Sequence, residues 1–225
     1  MSNFLGYVAQ SQLTKPRPDF QENGVKKILL PTFLSVVILI SFDTSAAAPT
    51  TEEALQDRIL GDPNAPITMI EYSSLTCSHC RQFHEEILPK IKKNYIDTGK
   101  VKLIFRDFPF DKLGLLATVL ARCAPPERYF GFLDVLFRKQ QAWSRSQDPF
   151  GELARIGKLG GLNPSDYETC LKNQALIDGL IEKRLEGQKN FDVKATPSFI
   201  INGDHKIVGS QPYEEFEKIF SQKAK

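Results

Sequence analysis

The chain has 225 residues, 41% of them hydrophobic and 25% charged, an ordinary globular composition with ample material for a full core. Its formal net charge of +2 comes without a lysine and arginine block or an aromatic-interleaved basic stripe, so no nucleic-acid partner is expected.

At the N-terminus, Lys26-Lys27 precede an apolar run over 28–42, and Ala46-Ala47-Ala48 supplies the small residues of a secretory cleavage site. Residues 1–48 are therefore expected to be a targeting segment, with retention as an inner-membrane anchor the lesser alternative. The run is short for a span, which needs about 20 apolar residues. Val25-Lys26-Lys27 would itself make a normal signal start, which makes residues 1–24 a candidate for untranslated sequence.

Gly61-Asp62-Pro63-Asn64-Ala65-Pro66 is a turn cluster, expected to end a flexible mature N-terminus and lead into the first central strand. That strand is Ile67-Thr68-Met69-Ile70-Glu71-Tyr72. Cys77-Ser78-His79-Cys80 follows, and 81–93 continues as an amphipathic helix. Two thiols one helical turn apart can close into a disulfide and reopen, and a CxxC between strand and helix reads as a thioredoxin-like active site. Asp97-Thr98-Gly99-Lys100 turns the chain into a second strand, 101–105, giving a βαβ unit with parallel strands.

From 113 to about 190 the periodicity is helical, with candidate helices over 113–123, 127–143, 149–158, 164–173 and 175–188. Two short strands, 198–201 and 206–208, are joined by Asn202-Gly203-Asp204-His205, and a helix over 213–220 closes the chain. The expected fold class is α/β, a thioredoxin fold with an inserted helical subdomain. Residues 49–111 and 190–225 form the thioredoxin part and 112–189 the insertion.

Cys77 is expected to be the nucleophile, because unpaired N–H groups at a helix N-terminus favour an anion. His79 and the N–H groups of the turn add to this, and Cys80 is the resolving thiol. All four cysteines lie in the mature part, and the local CxxC pair leaves Cys123 with Cys170 as the natural remainder. Export favours their pairing, against two free core cysteines. Glu71 is either a solvent-facing strand residue or a buried acid. His84 and His205 have no clustered partner in sequence and are expected to be solvated. Trp143 is expected in the core, and Phe83, Phe108 and Phe110 at the apolar rim of the site.

The mature chain from Gly61 onward resembles the DsbA family of periplasmic thiol-disulfide oxidoreductases. The resemblance rests on the 61–66 turn, Glu71-Tyr72-Ser73 before Cys77-Ser78-His79-Cys80, Phe105-Arg106-Asp107-Phe108-Pro109, and Ala195-Thr196-Pro197-Ser198-Phe199. It implies a cis-proline turn at Thr196-Pro197 that lies against the CxxC and receives an extended substrate. It also implies that Glu71 is a buried acid assisting proton transfer at Cys80. Some DsbA-like proteins carry a second disulfide in the helical domain. Ser78 departs from the family, whose best-known members have proline there, and leaves the redox potential open. At His84 an acidic residue is often found, so any acidic contribution is lost or moved to Glu85 or Glu86.

The implied activity is oxidation of dithiols in unfolded or newly exported cysteine-containing proteins, in the periplasm. A DsbB-type membrane quinone reductase would reoxidise the site, with no cofactor in the chain and a monomer expected. A specialised periplasmic reductase is the alternative. An isomerase is disfavoured, since residues 49–66 are too short for a dimerisation domain. A structural zinc module built on Cys77, His79, Cys80 and His84 is disfavoured because His79 cannot join both flanking cysteines in a tetrahedron.

Overall fold

The computed structural model describes residues 48–223, so the expectations for residues 1–47 lie outside the described residues. Among the described residues no helix is long and apolar enough to cross a membrane.

The segment expected to be flexible is ordered into two elements. Helix α1, Thr51–Leu55, starts with a capping box in which Thr50 Oγ1 accepts from Glu53 N–H at 3.2 Å and Glu53 Oε2 accepts from Thr50 N–H at 2.9 Å. Strand β1, Arg58–Leu60, then pairs antiparallel with a later strand. Three residues are too few for a period-two signal, which is why the sequence pattern does not reveal β1.

Strand β2, Ile67–Ser73, is the centre of the sheet, and β3, Val101–Asp107, runs parallel to it. Strands β4, Ser198–Ile201, and β5, His205–Val208, form a hairpin through Asn202 and Gly203, both at positive φ (50° and 80°). The sheet order is β1-β3-β2-β4-β5, with all pairs antiparallel except β2 with β3.

Between β2 and β3 lies α2, residues 78–96. It begins as α-helix Ser78–Gln82 and widens to a π-helical turn over Phe83–Ile87, followed by Leu88–Ile91 and a second π turn over Lys92–Ile96. Pro89 accounts for the first widening. It has no N–H to give to the carbonyl four residues earlier and its ring crowds that carbonyl, so Leu88 N–H bonds Phe83 O instead.

Between β3 and β4 the chain is helical: α3 Lys112–Cys123, α4 Tyr129–Arg138, α5 Gln140–Ser144, α6 Pro149–Leu159, α7 Pro164–Leu171 and α8 Gln174–Phe191. The single helix expected over 127–143 is thus broken at Lys139 (φ −98°, ψ 10°). Helix α9, Tyr213–Lys223, closes the chain. This is the thioredoxin fold with a helical insertion.

Alternation along β2 divides the core. Ile67 and Met69 pack with Phe83, Ile87 and Ile91 of α2 and Phe216 of α9 on one face, while Tyr72 meets Phe108, Val193 and Ile200 on the other. Gly187 of α8 lets that helix close on Tyr72, for a Cβ there would stand 2.5 Å from the ring. Phe83 and Phe108 are accordingly core residues and not rim. Phe110 is exposed, and Trp143 is fully buried with its indole N–H donating to Leu136 O at 2.8 Å.

A buried ion pair ties the helical run to the sheet. Arg122 Nη2 lies 2.6 Å from Asp107 Oδ2 with both side chains sealed from water, and Arg122 Nη1 also donates to Ala54 O and Gln56 O. Cys123 and Cys170 are joined by a disulfide of 2.04 Å that links α3 to α7.

Candidate functional site

Chain direction places the two thiols. The end of β2 delivers Cys77 to the N-cap of α2 with extended backbone (φ −81°, ψ 121°), and its Sγ accepts the N–H of Cys80 at 3.4 Å. One turn on, Cys80 is fully buried, whereas Cys77 is half-buried; both are free thiols.

The peptide bond between Thr196 and Pro197 is cis, at the entry to β4. This turn faces the CxxC: the Cys77 thiol donates to Thr196 O at 3.3 Å.

The environment drives the two sulfurs apart. Cys77 falls from the usual thiol range to about 5, chiefly because the Cys80 thiol donates to its sulfur. Burial opposes that fall, and the Thr196 side chain and the N–H groups of Cys80 and His79 support it. Burial pushes Cys80 well up, and the neighbouring Cys77 sulfur adds to the rise, while the Ser73 and Thr196 hydroxyls oppose it. Both hydroxyls are buried and, among the described residues, have no hydrogen-bond partner. Of the residues expected to tune Cys77, His79 contributes its backbone N–H while its side chain is exposed. Ser78 is exposed too.

Glu71 sits on the face of β2 that points toward α2, fully buried, with register partners Phe105 and Phe199. The expectation that His84 is solvated is wrong. Its side chain is 7% exposed, its Nε2 lies 2.9 Å from Glu71 Oε1, and its ring stacks on Phe137 at 4.1 Å. His84 follows Cys80 by one turn of α2 and meets Glu71 on the sheet side, a placement that only the packing of β2 against α2 reveals. Glu85 and Glu86 are exposed and take no part. Glu71 Oε2 has no partner among the described residues. His205 is exposed, as expected.

Two further residues reach the loop from the helical run, and the sequence reading missed both. Gln140 Nε2 donates to Leu75 O at 2.8 Å and to Cys77 O at 2.9 Å. Asp111 caps α3 through Gly114 N–H (2.7 Å) and accepts the Thr76 hydroxyl at 2.8 Å. An aspartate just before a helix is a readable cap, but its second partner is not, and a glutamine at a helix start carries no signal at all.

Among the described residues no three His, Cys, Asp or Glu side chains converge as a metal-binding set. A CxxC at a helix N-terminus, faced by a cis-proline turn on a mixed sheet, defines the thioredoxin class of dithiol proteins.

The sequence profile of the thioredoxin family matches residues 53–222. Among solved structures, alpha-DsbA1 of Wolbachia pipientis is 34% identical with a TM-score of 0.69, covering 75% of this chain and 91% of that one. The chain belongs to the DsbA family of thioredoxin-fold proteins. A Rickettsia bellii protein named "Putative protein-disulfide oxidoreductase" is 38% identical over 153 residues, which are 65% of this chain and 57% of the relative. Disulfide bond formation protein D of Bacillus subtilis is 29% identical over 179 residues, 74% of this chain and 77% of the relative. The chain spans little more than half the length of the Rickettsia relatives it matches.

Proposed function

We propose that the protein is an exported thiol-disulfide oxidoreductase that oxidises dithiols of newly secreted, cysteine-containing proteins. The observation that carries this reading is the split between the sulfurs: Cys77, lowered to about 5, stands as a thiolate at neutral pH, while buried Cys80 keeps its proton. A stable Cys77 thiolate favours the reduced site, which makes the Cys77–Cys80 disulfide a strong electron acceptor.

In the cycle a substrate thiolate attacks Cys77 Sγ, the Cys77–Cys80 bond breaks, and Cys80 leaves with the electron pair and takes up a proton. The second substrate thiol, deprotonated, attacks its neighbour's sulfur and releases Cys77 as thiolate. Substrate loses two electrons and the site gains two. In this reading Thr196 and Pro197 receive the substrate backbone, Glu71 serves the proton at Cys80, and His79 and Ser78 tune the turn.

Residues 49–111 and 190–225 act as the catalytic domain and 112–189 as its helical insertion, braced by Cys123–Cys170. A monomer in the periplasm, reoxidised by a DsbB-type membrane quinone partner, completes the proposal.

Equilibration with glutathione buffers, together with oxidation of a dithiol peptide by wild type, Cys77→Ser and Cys80→Ser, tests it. Oxidation lost in both variants and an equilibrium more oxidising than glutathione are expected. A strongly reducing equilibrium would instead make the protein a reductase.

A further inference from the structure

The loop that carries Cys77 is held from outside the sheet. Gln140 is 3% exposed and spends both amide hydrogens on carbonyls of that loop, Leu75 O and Cys77 O, across 65 and 63 residues of chain. The helix break at Lys139 makes this possible, because it starts α5 at Gln140. Cys77 O also accepts Arg81 N–H at 3.1 Å, the first rung of α2.

The same peptide unit links that carbonyl to the N–H side of the turn. Rotating Cys77 about ψ would swing its carbonyl out of the Gln140 and Arg81 bonds and move the helix-start N–H groups relative to Sγ. The Thr76 hydroxyl bonded to Asp111 restrains the preceding residue, and Gly114 packs closely on it, since a Cβ there would stand 3.0 Å from Thr76 Oγ1.

We infer that Gln140 is a positioning residue of the redox site: by pinning the Cys77 carbonyl it keeps the N–H donors of the helix start aimed at Sγ, and so sets how strongly the site oxidises. The inference rests on the dithiol reading above and deepens it, because it makes the helical insertion a part of the active site and not only a cover. A glutamine that merely satisfied two buried carbonyls would affect stability alone. Coupling also runs both ways: whatever thiolate stabilisation Gln140 confers, thiolate formation returns to the Gln140 contact.

The test is a Gln140→Met variant, close in shape but without donors, compared with wild type and with Leu153→Val, which removes one buried methylene from α6 and leaves the Gln140 amide bonds in place. Thiolate absorbance against pH and the glutathione equilibrium are read on each protein. In Q140M the Cys77 titration is expected to move up by about one unit, a tenfold loss of thiolate at a given acid pH, with a matching tenfold less oxidising equilibrium. L153V should leave both unchanged.

If Q140M does not fold, Gln140→Glu keeps the shape and sets a carboxylate against the two carbonyls, and the same upward shift is expected. A folded variant with the wild-type titration and equilibrium would overturn the inference. A wild-type Cys77 that titrates as an ordinary thiol would instead overturn the dithiol reading itself.

Discussion

His84 Nε2 lies 2.9 Å from Glu71 Oε1 beneath the CxxC helix, the carboxylate fully sealed from water and its second oxygen unpartnered among the described residues. Removing one partner of this buried hydrogen bond leaves the other unsatisfied, whereas replacing both by apolar groups is close to neutral. The Glu71→Leu/His84→Phe double variant is therefore expected to be about as stable as wild type or more so, whereas His84→Phe alone, which leaves the Glu71 side chain without its partner, should lose about 1–3 kcal/mol. Urea unfolding measures both. The double variant should also exchange dithiols about tenfold more slowly or worse, since a positioned acid contributes at least that much. An undiminished rate would remove Glu71 from the mechanism.

The acidity of Cys77 makes the stability of the reduced protein depend on pH. Its folded value, about 5, lies below that of an unfolded cysteine, about 8.5, so between these values the unfolded chain binds more protons. The thiolate contribution is then complete above about pH 8.5, declines as pH falls, and is gone below about pH 5. Melting temperatures of the reduced and the oxidised protein, compared from pH 4 to 9, should show the reduced form gaining on the oxidised form through that window. Cys77→Ser should abolish the pH-dependent gain.

Breaking the Arg122–Asp107 pair from one side leaves a guanidinium buried without its counter-charge. Asp107→Asn is expected to cost about 3–5 kcal/mol in chemical denaturation. Its effect should reach α1 as well, since Arg122 also holds Ala54 O and Gln56 O. Faster amide hydrogen exchange in α1 would show that reach, and a change below about 1 kcal/mol would contradict the account.

The Cys123–Cys170 disulfide closes a loop of 47 residues, and the chain-entropy estimate for it is about 4 kcal/mol. Replacing both cysteines by serine should lower stability by roughly that amount. The Cys77 titration should not move, because the bridge joins α3 to α7 and neither helix carries the CxxC. A shifted titration would show that the insertion reaches the site through this bridge as well as through Gln140.

Much of the fold is legible from local pattern: the β-favouring run at 67–72, the amphipathic helix after Cys80, the helical run after β3, and the Asn-Gly hairpin all reflect preferences that act within a few residues. Where local pattern misleads, a specific competitor is responsible. Three residues of β1 are ordered by pairing with β3, and the long helix expected over 127–143 is broken at Lys139. Phe83 and Phe108 are drawn into the two faces of the β2 core. His84 reads as solvated because nothing near it in sequence is acidic and inward-facing, and its partner lies thirteen residues away on a strand.

By itself the sequence determined that two thiols stand one turn apart at the start of a helix, because CxxC spacing and a strand-to-helix transition are local facts. Only the tertiary structure decided that Thr196 meets Cys77, that His84 meets Glu71, and that Gln140 holds the Cys77 carbonyl. Each of these is a polar contact, at least partly buried, between separate elements of the fold. Such contacts are specified by how faces pack, and no spacing in the sequence encodes them.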